Sequence, residues 1–209
     1  MLRDIRKNYQ RDNLEEDKLS QEPLDLFQSW LNDAIQGKEE EPTAMTLSTI
    51  SKGFPDSRIV LLKEVSASGF VFFTNYLSNK GKQLGEDNHV ALNFFWPKLE
   101  RQVRVKGIAE KLSEQLSTDY FNSRPRDSQI GAWSSPQSRE ITGRKELDQN
   151  FEYYTAQFEG KEIVKPATWG GYLVKAVEIE FWQGRPNRLH DRFRYTLNES
   201  IWEIKRLAP

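Results

Sequence analysis

Cysteine is absent, histidine occurs only as His89 and His190, and there are two methionines. Without a thiol the chain has no disulfide framework, thiolate zinc site, cysteine-held iron–sulfur cluster or cysteine nucleophile. Two histidines are too few for a histidine-rich metal centre, although counting leaves an all-carboxylate site open. No apolar run approaches the roughly 20 residues of a membrane span, and Met1 to Tyr9 lack the apolar core of a signal peptide, so the cytoplasm is the expected compartment. The dinucleotide fingerprint G-x-G-x-x-G, the P-loop, G-x-S-x-G and H-E-x-x-H are all missing. Thirty basic residues stand against thirty-one acidic ones, a net charge of -1, which argues against nucleic acid as the main partner. An enzyme of this composition would borrow its chemistry from an organic cofactor.

What is present is aromatic and charged. Twelve Phe, seven Tyr and six Trp carry much of the apolar content of the 209 residues. That length suits one domain with short appendages. A mean hydropathy of -0.74 is low for a self-sufficient globule; it points to solvated segments or to a core completed by a second subunit, and rings also suit flat ligands. The charge is graded along the chain: residues 1–41 carry -5, residues 101–145 carry +4 and residues 182–209 carry +3. Ordinary solvated surface and a basic pocket for a small anion both fit this gradient.

Residues 1–20 read as a mobile arm, followed by one domain over 21–209. Pro23 suits a first helical turn, and Leu24, Phe27, Leu31 and Ile35 follow at helical spacing. Candidate strands are 44–51, 57–63, 69–74, 89–95, 101–112, 171–182, 190–197 and 201–206, the last two joined by a turn at Asn198-Glu199-Ser200. Helical patterns occupy 78–85, 113–122 and 143–158, the last with Leu147, Phe151, Tyr154 and Phe158 on one face. Adjacent short strands with few helices predict a mainly β fold, an antiparallel barrel with flanking helices and a helical lobe at about 113–165.

Five stretches could carry chemistry. Arg101-Gln-Val-Arg-Val-Lys-Gly107 alternates, with Gln102, Arg104 and Lys106 on a face toward water or a wet pocket and Val103 and Val105 on the other. Arg58-Ile-Val-Leu-Leu-Lys63 is an apolar run between two cations whose alternation puts Arg58 and Lys63 on opposite faces; taken alone it reads as an ordinary strand with charged ends. Phe73, Thr74, Asn79 and Lys80 end a strand near a turn, either an anion cradle or a capped helix with a solvated lysine. Tyr120, Arg124 and Ser128 recur every four residues, although Pro125 interrupts any single helix. Arg188, His190 and Arg192, read as a strand, share one face with Asp191 turned away, and three such groups call for an anion.

Taken together these stretches resemble the pyridoxine (pyridoxamine) 5′-phosphate oxidases, FMN-binding split β-barrels. The resemblance runs from the Arg6-to-Tyr9 segment to Arg206-Leu-Ala-Pro209. It is carried most specifically by Arg58-x-Val-Leu-Leu-Lys63, Glu100-Arg-Gln-Val103, Tyr120-Phe-x-Ser-Arg-Pro-Arg-Asp-Ser-Gln-Ile-Gly-Ala-Trp133, Gln137-Ser138, Trp169-Gly-Gly171, Glu180-Phe-Trp-Gln-Gly184 and Arg188-Leu-His-Asp-Arg192. It implies FMN contacts from Arg58, Ile59, Val60, Leu61, Leu62, Lys63, Phe73, Thr74, Asn79, Lys80, Gln102, Gln137, Ser138, Trp182 and Arg192. It implies substrate contacts from Lys63, Tyr120, Arg124, Ser128, Arg188 and His190, the last two nearest the reacting carbon, with Arg6 and Tyr9 closing over the pocket. The implied reaction oxidises pyridoxine 5′-phosphate or pyridoxamine 5′-phosphate with O2 to pyridoxal 5′-phosphate, releasing H2O2 and, from the amine, NH3, in a homodimer with sites at the subunit interface. Two departures stand out: Asn79 replaces a usual arginine, and Phe73 stands where some members have tyrosine. A related split-barrel flavin reductase or a non-catalytic pyridoxal phosphate-binding protein are the alternatives.

Overall fold

The computed structural model describes residues 1–4 and 7–209. Its chain turns repeatedly between short strands, β1 (Ala44–Ser51), β2 (Phe54–Leu61), β3 (Glu64–Ser66), β4 (Gly69–Asn75), β5 (His89–Trp96), β6 (Arg101–Lys111), β7 (Trp169–Gln183), β8 (Asp191–Asn198) and β9 (Ile201–Arg206). All pair antiparallel in one sheet of order β2-β1-β5-β6-β7-β4-β3, while β8 adds to β7 and β9 to β8. The helices are α1 (Pro23–Gln36), α2 (Asn79–Glu86), α3 (Glu114–Ser123), α4 (Arg126–Ser134) and α5 (Arg144–Gln157). The fold is therefore mainly β with flanking helices, as the alternation implied.

The sheet curls without closing, and the chain crosses its split in one step. The Leu62 N–H donates to Thr43 beside β1, whereas the Lys63 N–H donates to Val71 in β4. The β7 strand holds the two halves together: its first part pairs with β4 and its last part with β8, while β6 runs along it throughout. The β6–β7 register shifts between Lys106 and Gly107. A Cβ on Gly107 would stand 2.6 Å from the Lys175 carbonyl oxygen, so only glycine lets the strands approach there.

The interior is built of rings. Phe27 of α1 meets Phe70 and Phe94 edge-on at 4.9 and 4.8 Å and lies 5.9 Å from Trp96. The buried face of α1 is Leu26, Phe27, Trp30, Leu31 and Ala34, whereas Ile35 is exposed. The predicted face was thus turned by about one residue, because Trp30 outweighs Ile35 in buried area. A smaller core of Phe121, Ile130, Ile163 and Trp169 underlies α3 to α5.

The leading segment lies along the barrel. Buried Glu100 accepts the Gln10 and Arg11 N–H groups at 2.8 and 3.0 Å, and Asp191 accepts that of Leu14 at 3.1 Å. Arg101 bridges Asp12 and Asp33 at 2.9 and 2.6 Å.

Candidate active site

A cleft of about 460 Å³ opens where the curled sheet fails to close. Ile59, Val60 and Leu61 of β2 form one wall, and Phe73, Thr74 and Asn75 of β4 form the other. Lys63, at the crossing between them, also faces the cleft, as do Lys80 of α2, Tyr120 of α3 and Ser128 of α4. Sequence alternation had set Arg58 and Lys63 apart; the structure takes Lys63 out of the strand, so alternation does not govern it.

The cleft has two cationic ends. At one, Lys80 lies 3.3 Å from both the Thr74 hydroxyl and the Gln137 amide oxygen. Burial and then the charge of Arg58 hold its ammonium below the ordinary lysine value. Arg58 itself is turned into a cage beneath α2. It donates to Thr49 and Asp56 at 2.6 Å, to Gln83 at 3.0 Å and to the Leu47 carbonyl at 3.3 Å. It therefore lends positive charge to the Lys80 end rather than a free guanidinium fork.

At the other end stands Arg124. Pro125 ends α3 and leads into α4, so Arg124 has extended backbone between the two helices (φ -75°, ψ 149°) instead of sharing a helical face with Tyr120. The turn still brings Tyr120, Arg124 and Ser128 to one cleft. Arg124 packs over the Trp169 ring at 4.7 Å, and burial lowers its pKa from the usual value. Its NH1 is buried with no hydrogen-bond partner among the described residues. A buried, unsatisfied guanidinium nitrogen beside a lysine and two hydroxyls calls for an anion with several acceptors. Parallel rings line the space between: Phe73 stacks on Tyr120 at 3.8 Å and on Trp169 at 5.4 Å. The donor set and the rings thus fit a flat aromatic phosphate.

The remaining expected residues are elsewhere. Leu62 is buried in the core, Asn79 is exposed at the start of α2, and Ser138 is exposed beyond Gln137 at φ 68°. Tyr9, Trp182 and His190 form a second cluster, with centroids 5.6 Å apart for Tyr9–Trp182, 5.9 Å for Tyr9–His190 and 4.6 Å for Trp182–His190. Gly184 makes room for it, since a Cβ there would stand 2.7 Å from the Tyr9 ring. Gln102 pairs with Trp182 across β6 and β7, and Arg192 is bound to Glu180 at 2.9 Å. Arg6 lies outside the described residues.

One strand reading is corrected here. Arg188 and His190 precede β8, because Asn187 and Arg188 take left-handed backbone at φ 58° and 62° and make a turn. The three-cation face was thus an artefact of extrapolated alternation. His190 Nδ1 instead accepts the Arg185 N–H at 3.0 Å. Burial and then Arg188 lower its pKa, partly opposed by Asp191.

The cleft and the cluster lie at opposite ends of β7, Trp169 at one and Trp182 at the other, about 40 Å apart along the strand. Sequence reasoning did not single out Trp169, Asn75 or Ser135 as lining; the Trp169-Gly-Gly171 block was the available signal.

Residues 31–158 match the family model described as pyridoxamine 5′-phosphate oxidase, and residues 169–209 match the pyridoxine 5′-phosphate oxidase C-terminal dimerisation region. Pyridoxine/pyridoxamine 5′-phosphate oxidases from Actinobacillus succinogenes and Cyanothece are 52% and 48% identical; each alignment covers all of this chain and 99% or 98% of the relative. PhzG from Burkholderia lata, solved with tetrahydrophenazine-1-carboxylic acid, is 27% identical with a TM-score of 0.89 over 95% of this chain and 98% of its own. An FMN-binding protein from Nostoc punctiforme shares the fold at 14% identity and a TM-score of 0.72, covering 91% of this chain and all of its own.

Proposed function

The chain belongs to the pyridoxamine 5′-phosphate oxidase family, and from that membership we propose that it is an FMN-dependent oxidase of pyridoxine 5′-phosphate and pyridoxamine 5′-phosphate. When bound, FMN would supply the redox chemistry: the C4′ carbon would lose two electrons and two protons and O2 would be reduced to H2O2, giving pyridoxal 5′-phosphate directly from the alcohol and, from the amine, with water replacing the nitrogen that leaves as NH3. The observation that carries this reading is Arg124, half-buried with one guanidinium nitrogen buried and unpartnered among the described residues, in a ring-lined cleft that also holds Lys80.

Each residue then has a task of binding or orientation. Lys80 and Thr74 hold the FMN phosphate with Gln137, within the field of Arg58, and the backbone of residues 59–62 borders the ring system. Lys63, Tyr120, Arg124 and Ser128 hold the substrate phosphate, a dianion for which a free guanidinium fork is well suited. Arg188 and His190 orient the pyridine ring and exclude water, with Tyr9 closing above them. One protomer cannot unite the two ends of its own β7, so each site takes its cleft from one subunit and its Tyr9–Trp182–His190 cluster from the other in a homodimer. The same pairing would bring Gln102 and Arg192 to the FMN. We assign the enzyme to the cytoplasm on this family reading.

The test is peroxide and aldehyde production from both phosphorylated substrates with added FMN. Flavin absorbance with turnover of at least one substrate is expected. Bound FMN without turnover of either would point to a reductase, and failure to take up FMN would overturn the enzyme reading. Arg188→Ala combined with His190→Ala should lower turnover by 100-fold or more with FMN still bound.

A further inference from the structure

We infer that Trp169 is a positioning residue for substrate phosphate: its indole face, in place of a carboxylate, orients Arg124 and leaves the guanidinium fork free. The inference rests on the substrate-phosphate role proposed for Arg124.

An arginine with a buried guanidinium nitrogen is ordinarily neutralised by an acid, as Arg101 is by Asp12 and Asp33 in this same chain. Arg124 is arranged differently. Its guanidinium lies 4.7 Å from the Trp169 ring and 5.7 Å from that of Phe121, and its buried NH1 has no partner among the described residues. A carboxylate there would occupy the fork and repel a phosphate dianion. An aromatic face attracts the cation through its quadrupole while consuming no N–H donor.

Trp169 is itself held in place. Lys165 donates to its carbonyl oxygen at 2.9 Å and pairs with Glu114 of α3 at 2.8 Å. The ring meets Phe121 at 68° and lies parallel to Phe73 at 5.4 Å. The indole is therefore a fixed plate, and Arg124 is fixed by resting on it.

The test uses the FMN-loaded enzyme and compares dissociation constants for pyridoxal 5′-phosphate and pyridoxal, which differ only in the phosphate. Trp169→Met fills much of the same space without a π face; Trp169→Phe keeps a face. Trp169→Met should weaken pyridoxal 5′-phosphate about 5- to 30-fold and leave pyridoxal within about twofold, with the kinetic loss falling on KM more than on kcat. Trp169→Phe should recover most of the difference. Equal weakening of both ligands, or none, would overturn the positioning role. Arg124→Ala is the control for the underlying reading. If it leaves pyridoxal 5′-phosphate binding intact, the phosphate site itself is misplaced; if it weakens binding while Trp169→Met does not, only the role of Trp169 falls. Should Trp169→Met fail to fold, Trp169→Leu is put through the same pair of ligands: a selective loss of pyridoxal 5′-phosphate affinity supports the role, and an equal loss for both ligands or none counts against it.

Discussion

Asn79 is the residue at which charge balance is most open to test. It begins α2 as an exposed amide next to Lys80. Adding a charge there by Asn79→Arg should tighten FMN roughly 10-fold or more, the worth of a charge-assisted hydrogen bond of about 1.5–3 kcal/mol. Fluorescence titration of the apoprotein with FMN measures this directly, and an unchanged constant would place the phosphate away from α2. His190 offers a second test, because only one other histidine shares its NMR window. Burial and Arg188 hold its pKa below 6.5. Neutral imidazole is thus the folded form; its contribution to stability is complete above pH 6.5 and is lost as pH falls through the lower folded value. Its ring protons should titrate at a pH below 6.5, and a midpoint above that would contradict the packing described. At this scale the sequence made Lys63, Lys80, Tyr120, Arg124 and Ser128 legible as chemically capable residues. It could not show that Arg58 is caged by Asp56 and Gln83, since Gln83 comes from α2, 25 residues further along the chain.

Among the elements, strands with one buried face were read closely. The polar residues Gln102, Arg104 and Lys106 of β6 alternate with buried Val103 and Val105. The three-residue β3 was missed because it is too short to show a period, and α4 was hidden by Pro125, which starts it. The turn between β8 and β9 was legible, but its strain was not: Glu199 and Ser200 both take left-handed backbone, at φ 46° and 77°, where Asn-Gly would sit with little penalty. Replacing the pair by Asn-Gly should raise stability by about 1 kcal/mol, seen as a later midpoint in urea; no shift would mean that the hairpin end frays before the barrel unfolds. In the core, Phe27→Ala removes a fully buried ring that touches three others, and the expected cost is about 3–5 kcal/mol. Differential scanning calorimetry would register this as a large drop in Tm.

For the whole molecule, the decisive relation is between two copies. If the cleft and the His190 cluster act in trans, Arg124→Ala and the Arg188→Ala/His190→Ala double variant should each be nearly inactive alone. Refolded together in equal amounts, they should recover about a quarter of wild-type activity, since half the dimers are mixed and each mixed dimer holds one intact site of two. No recovery would mean that the site is completed within one chain. Low hydropathy hinted at a shared core, but no periodicity in one chain can report which surface a second copy covers.

The long β7 strand also governs when this molecule can exist. Before residues 169–183 leave the ribosome, β4 and β6 lack the neighbour that both require. More than three quarters of the polypeptide must be made while its aromatic core has no lasting shelter. At a synthesis rate of roughly 5–20 residues per second, the nascent chain stays open for many seconds, a period in which chaperones or proteases rather than its own contacts decide its fate. Stalled chains ending just before Trp169 should accordingly be cut readily by a protease, and chains long enough to expose Gln183 should resist it.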